Sequence, residues 1–241
     1  MNLVIDIGNT KVKVAVFELD TIITTVVCEE INLLEELKKI LNKYPIIQSI
    51  VSSVKDIKEE YRKEINKLPL LVTLNTTTIL PFKNRYTTPS TLGNDRIALA
   101  AAAVCVYPLK NTLVIDAGTC ITFDFINSKN EYLGGAISPG IGMRYKSLHQ
   151  YTGKLPLLSK NEEFKLIGTS TKSSIHSGII NGIIYEIKGV IAQYQEDFGD
   201  LTIVLTGGDT KFLSKQLKNS IFANQNFLLR GLNKILTFNN Q

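Results

Sequence analysis

Little in this chain is set aside for crosslinks, membranes or highly charged partners. It carries three cysteines, Cys28, Cys105 and Cys120, an odd number with no CxxC spacing. Each lies in an apolar run. Buried free thiols in a reducing compartment are therefore expected, with a zinc site or a reactive thiol as the alternatives. There are only two histidines, His149 and His176. Their spacing suits no metal, and both are expected to be structural or exposed. No apolar run approaches the ~18 residues that would span a bilayer. The first residues lack a basic n-region and their apolar run is broken by Asp6, so no signal peptide is expected and the location is read as cytoplasmic. Net charge is +5, but the lysines are scattered. No block of about five like charges occurs, which favours a solvated surface over a nucleic-acid face. Gly/Ser-rich linkers are also missing, so two halves, if present, should pack tightly.

What is present is an ordinary globular composition, 44% hydrophobic and 20% charged over 241 residues. That length accommodates one large domain or two smaller ones with a sizeable core. The strongest pattern is internal. Leu3-Val4-Ile5-Asp6-Ile7-Gly8 returns as Leu113-Val114-Ile115-Asp116-Ala117-Gly118. Each copy is an apolar strand ending in a carboxylate, with glycine two residues on and threonine (Thr10, Thr119) behind it.

The rest of the chain repeats that theme. Residues 2–6, 12–18, 21–28 and 47–53 read as strands, and 30–43 and 57–66 as helices. In the first helix Ile31, Leu34, Leu37, Ile40 and Leu41 form an expected core stripe. Residues 75–92 are irregular, and loops of that length are commonly functional. An Ala-rich helix follows over 97–107 and should pack between the halves. Strands are read again at 112–116, 120–126 and 131–138, with Ile121, Phe123 and Phe125 on one face. A mixed helical region comes next, then a long helix near 171–198, a strand at 201–205, a short helix and a helical end at 228–236. Three strands then a helix, twice, is the duplicated ribonuclease-H-like pattern. The expected fold class is α/β, with two mixed-sheet halves, 1–107 and 108–241, around a central cleft.

Several segments carry chemistry. In Asp6-Ile7-Gly8-Asn9-Thr10-Lys11-Val12-Lys13, Gly8 allows a tight turn and lets main-chain N–H groups approach phosphate oxygens. Thr10 adds a hydroxyl and Lys11 or Lys13 a cation. Asp6, at a strand end, suits Mg²⁺, directly or through water. The plain alternative is a hairpin turn, since Asn and Gly are common turn residues. Asp116-Ala117-Gly118-Thr119 offers a second such loop, and the two would clamp a phosphate chain from both sides of the cleft. Thr206-Gly207-Gly208-Asp209 is a third glycine turn, suited to a flat base or ribose.

Gly93-Asn94-Asp95-Arg96 sets an acid beside a base at a helix start. Asp95 either caps the helix or accepts a proton from a substrate hydroxyl, with Arg96 holding an anion bidentately. Ser138-Pro139-Gly140 imitates a nucleophile elbow. Pro139 lacks the N–H that an oxyanion hole needs there, which argues against a hydrolase.

Taken in order, these segments resemble the type III pantothenate kinases of the actin/sugar-kinase/Hsp70 superfamily. The motifs are Asp6-x-Gly8-Asn9-Thr10, Tyr86-x-x-Pro89, Leu92-Gly93-x-Asp95-Arg96, Asp116-Ala117-Gly118-Thr119, Gly134-Gly135-x-Ile137-x-Pro139-Gly140 and Thr206-Gly207-Gly208-Asp209. They span nearly the whole chain. Cys120 departs from the small Ala common at its position. The resemblance implies ATP-dependent phosphorylation of pantothenate at its primary hydroxyl, the first step of coenzyme A synthesis. It implies Asp95 as proton acceptor, and Tyr86, Gly93, Asn94, Asp95, Arg96 and Thr171 at pantothenate, with Arg96 on its carboxylate. The ATP site would comprise Asp6, Ile7, Gly8, Asn9, Thr10, Lys11, Val12, Lys13 and Thr119. Asp116 would hold a monovalent cation, K⁺ or NH₄⁺, and Asp6 would serve Mg²⁺. A homodimer is implied, with no nucleic-acid or membrane partner. Two other readings remain: a non-catalytic regulator that keeps the nucleotide loops, and a kinase for another hydroxyl substrate such as a sugar.

Overall fold

All six residues of the first strand are buried, as expected of an apolar run covered on both faces. The computed structural model of the chain describes residues 1–217 and 221–240. In order, the elements are β1 (Asn2–Ile7), β2 (Val12–Glu18), β3 (Thr21–Cys28), α1 (Leu33–Lys43), β4 (Gln48–Ser53), α2 (Glu59–Ile65), β5 (Leu71–Thr73) and β6 (Lys83–Asn84). Then come α3 (Asn94–Val106), β7 (Asn111–Ala117), β8 (Cys120–Ile126), β9 (Glu131–Pro139), α4 (Ile141–Gln150) and α5 (Thr171–Phe198). The chain closes with β10 (Leu201–Thr206), α6 (Thr210–Leu217), β11 (Ile221–Ala223) and α7 (Phe227–Asn239).

The first sheet runs β3-β2-β1-β4-β5, and the second runs β11-β10-β7-β8-β9-β6. Read from their first central strands, the two have the same plan. An antiparallel partner lies on one side of β1 and of β7, and a parallel partner on the other. The sequence repeat is thus a repeat of topology, α/β with two mixed sheets.

Two compact units are present. One comprises residues 1–109, 129–133 and 226–241, the other 110–128 and 134–225. These units are drawn by packing and differ in kind from the halves 1–107 and 108–241 drawn by repeat. In the first unit, Leu3, Ile5, Val14 and Val16 pack with Leu33, Leu37 and Ile40 of α1. The same unit contains α7, which packs on α3, β1 and β4. The approach to α3 is close: a Cβ on Gly231 would stand 1.8 Å from the Ala98 carbonyl oxygen. In the second unit, Ile115, Phe123 and Phe125 pack with Ile180, Ile183 and Ile187 of α5.

Some expectations are corrected. Ile31 is 77% exposed and Leu41 41% exposed, so neither belongs to the core stripe. For Ile31 the reason is phase: residues Glu30–Asn32 form a 3₁₀ turn, and the α-helical repeat begins only at Leu33. The three cysteines are free but half-buried rather than buried. His149 Nδ1 lies 2.8 Å from the Leu155 carbonyl oxygen, and His176 Nδ1 lies 2.7 Å from the Tyr145 hydroxyl, which gives both histidines structural contacts. The short strands β5, β6 and β11 were not expected. Each is two or three residues long, too short to show a period.

Candidate active site

Sheet register assembles the first cluster. On β1, Asp6 stands opposite Lys13 of β2 and opposite Ser52 of β4. Directly paired residues project from the same face, so a cation and a hydroxyl flank the carboxyl. Asp6 is buried, and its Oδ1 has no hydrogen-bond partner among the described residues. Burial pushes the carboxyl up to about 6, and the Asp95 charge pushes the same way; Lys13 and the Ser52 hydroxyl pull it down. A carboxylate in that state is suited to a cation brought from outside. Among the described residues, no three His, Cys, Asp or Glu side chains gather to hold a metal ion. The unpartnered Asp6 Oδ1 fits Mg²⁺, which keeps water and phosphate oxygens and takes only one or two carboxylates.

The turn after β1 is closed by the Gly8 N–H donating to the Lys11 carbonyl, 3.1 Å. Asn9, Thr10 and Lys11 are exposed on it, whereas Ile7 and Val12 are core residues that leave only main chain for a ligand. Lys11 pairs with Glu29 at 3.1 Å. Of the two lysines, Lys13 is the one that acts on Asp6.

Gly93 stands just ahead of α3, and the helix begins at Asn94. Asn94 Nδ2 donates to the carbonyls of Ser53 and Leu74, both at 3.1 Å. These bonds tie the helix start to the ends of β4 and β5. Asp95 Oδ1 accepts from the Arg96 N–H at 2.8 Å. The N-cap of α3 is Gly93, with no side-chain cap bond, so the expected capping role does not fall to Asp95, which lies inside the first turn. A Cβ on Gly93 would lie 2.4 Å from Asp95 Oδ1, so glycine leaves the carboxylate its place. The Arg96 side chain is buried, with its guanidinium carbon 5.6 Å from the Tyr86 ring centre and 5.9 Å from that of Tyr132. Asp6, Asp95, Arg96 and Tyr86 thus all belong to the first unit.

The second unit builds a separate cluster. Asp116, next to last in β7, stands opposite Thr206 of β10 and Thr122 of β8. Three turns converge there. The Gly140 N–H donates to the Thr119 carbonyl at 3.1 Å, and the Asp209 N–H donates to the Ala117 carbonyl at 2.9 Å. A Cβ on Gly140 would lie 2.3 Å from the Gly118 carbonyl oxygen and 2.4 Å from that of Thr119. Gly207 has φ +94°, and its Cβ would lie 2.3 Å from Asp116 Oδ1. Asp116 Oδ1 and the Ala117 carbonyl both lie against Gly207, so oxygen atoms of the kind a hard cation takes come close together at the end of β7. Thr119 itself is exposed. Thr171 opens α5 beside a capping box formed by Ser170 and Ser173.

Sequence reasoning missed Ser52, Tyr132 and the two carbonyls that hold Asn94. Ser52 could be found only through register. Tyr132 has one faint signal, an aromatic just ahead of the Gly134-Gly135 pair.

Known proteins resemble the chain over nearly its whole length. A family model for type III pantothenate kinases matches residues 2–193. The chain is 54% identical over 240 residues to a type III pantothenate kinase of Christiangramia forsetii, with 99% of each covered. It is 48% identical over 235 residues to that of Flavobacterium johnsoniae, covering 97% of this chain and 96% of the relative. Among solved structures, a Campylobacter jejuni protein assigned to the Baf family of transcriptional activators matches with TM-score 0.65 at 24% identity, covering 99% and 98% of the two chains. The activator of 2-hydroxyisocaproyl-CoA dehydratase from Clostridium difficile, with bound ADPNP, matches with TM-score 0.53 at 12% identity, covering 99% and 93%. At such identities the structural likeness speaks for the actin-like ATPase fold alone. Sequence likeness over nearly the full length goes further: the chain belongs to the type III pantothenate kinase family.

Proposed function

We propose that this kinase uses Asp95 as the proton acceptor for the primary hydroxyl of pantothenate. The hydroxyl oxygen attacks the γ-phosphorus of ATP, its proton passes to Asp95, and ADP departs as 4'-phosphopantothenate forms. Phosphoryl transfer asks mainly for positioning and charge neutralisation, with little covalent chemistry from the protein. The observation that carries the reading is the turn from Gly93 to Arg96. It sets a carboxylate and a buried guanidinium side by side at one helix start, within electrostatic reach of Asp6.

Arg96 holds the pantothenate carboxylate, with Tyr86, Gly93 and Asn94 lining the same pocket and Thr171 adding a later contact. The segment Asp6 to Lys13 and Thr119 bind the phosphates of ATP. Asp6 would hold Mg²⁺, which neutralises phosphate charge when bound. Asp116 binds K⁺ or NH₄⁺. The halves 1–107 and 108–241 derive from one duplicated unit, and the enzyme works as a cytoplasmic homodimer. Among the described residues no helix is long and apolar enough to cross a membrane.

A regulator that only binds nucleotide would have no use for Asp95 beside Arg96, and both are present. The test is ADP release by purified protein with Mg²⁺ and ATP, with and without pantothenate and K⁺. ADP release that depends on pantothenate is expected; its absence at every K⁺ level would overturn the assignment.

A further inference from the structure

The aromatic side of Arg96 does not stop at Tyr86. Tyr132 is fully buried, and its ring centre lies 6.1 Å from that of Tyr86 and 6.1 Å from that of Phe82. The same ring stands 5.9 Å from the Arg96 guanidinium carbon. The backbone adds a second link. Asn84 of β6 pairs with Tyr132 of β9, and the Arg85 N–H donates to the Tyr132 carbonyl at 2.9 Å. Asn84 Oδ1 in turn accepts from the Tyr86 N–H at 2.9 Å. Tyr132 therefore meets both Tyr86 and Arg96 through its ring, and fixes the strand that delivers Tyr86 through its main chain.

We propose that Tyr132 is a positioning residue for the carboxylate end of pantothenate: its buried ring sets the plane of the Arg96 guanidinium and the seat of Tyr86. This rests on the assignment of Arg96 to the substrate carboxylate. A guanidinium needs orientation as well as charge, because its bidentate hold works only when the fork is coplanar with the carboxylate. Ring faces within about 6 Å supply that orientation, and their hold is strongest where water is excluded. A serial arrangement follows, with Phe82 behind Tyr132, Tyr132 behind Tyr86 and Arg96, and Arg96 against the substrate.

Steady-state kinetics tests the arrangement on Tyr132→Phe, Tyr132→Leu, Arg96→Lys and the Tyr132→Leu/Arg96→Lys pair. Tyr132→Phe keeps the ring contacts and is expected to raise the pantothenate KM clearly less than Tyr132→Leu does. Tyr132→Leu is expected to raise the pantothenate KM about tenfold, while the ATP KM and kcat change less than about threefold. In the pair, kcat/KM for pantothenate should fall little below that of Arg96→Lys alone, because both changes remove one interaction. If the Leu variant fails to fold, Phe82→Leu, which removes the ring behind Tyr132, should raise the same KM about threefold. Equal rises in both KM values, or fully multiplicative losses in the pair, would overturn the role of Tyr132. A raised pantothenate KM in Arg96→Lys with none in Tyr132→Leu or Phe82→Leu would overturn it alone. An unchanged pantothenate KM in Arg96→Lys would instead remove the Arg96–carboxylate assignment, and this inference with it.

Discussion

The charge on Asp95 reaches the buried carboxyl of Asp6: burial lifts Asp6 to about 6, and Asp95 adds to the lift. The proton acceptor and the Mg²⁺ ligand of the proposed mechanism are therefore coupled. In Asp95→Asn, turnover should fall by about 10²–10⁴-fold, the usual worth of a general base. Mg²⁺·ATP should still bind, and the acid limb of that binding should move to lower pH because one source of the lift is gone. Calorimetric titration across pH 5–8 reads both. Near-wild-type turnover in this variant would remove Asp95 from the base role.

Asp6 also makes a prediction about stability. Its folded value is above the ~3.9 of an unfolded aspartate, so the native state holds a proton that the unfolded chain has released. The stability it contributes is fully present below about pH 4 and is lost as pH rises through about 6. Two units correspond to at most ~3 kcal/mol. Asp6→Asn should therefore raise the melting temperature of the nucleotide-free protein at pH 7.5 by several degrees, with the gap closing below pH 5. The same variant should bind Mg²⁺·ATP poorly. Scanning calorimetry at the two pH values decides; a lower melting point at pH 7.5 would mean that the Asp6 charge is well compensated.

Gly140→Ala should damage nucleotide binding selectively. Its Cβ would drive into the carbonyls of Gly118 and Thr119, 2.3 and 2.4 Å away, and displace the loop assigned to ATP. An ATP KM raised about tenfold, with pantothenate KM within twofold, is the expected result. A rise in the pantothenate KM alone would speak against Thr119 as an ATP contact.

Activation by K⁺ offers a separate test of the second cluster. Asp116→Asn removes the carboxylate, and Gly207→Ala forces a side chain onto φ +94° and against Asp116 Oδ1. Both should shift half-activation by K⁺ to higher concentration, by about tenfold or more for Asp116→Asn. Unchanged K⁺ response in both would place the cation elsewhere.

Much of this was legible in the chain because the key turns are made locally. A strand that ends in Asp-x-Gly announces itself in a few letters, and the long α5 is set by its own apolar spacing. The partners of Asp6 are of another kind. Ser52 comes beside it only because β4 pairs with β1, and no neighbour in sequence carries that information. The same holds for Tyr132, which reaches Arg96 through the β6–β9 pairing. Ile31 misled for a local reason, since a single 3₁₀ turn shifts the helical phase. Three-residue strands such as β5 and β11 carry too few side chains to alternate.

The place of α7 has a consequence for how the protein is made. The helix that carries Asp95 and Arg96 rests on the chain's final helix, across the close contact of Ala98 with Gly231. A ribosome delivers residues 1–109 long before residues 226–241 exist. During that interval α3 lacks its partner and its apolar face stays uncovered. The first unit, although encoded first, closes only once residues 226–241 have been made, and the helix that carries Asp95 is seated no earlier.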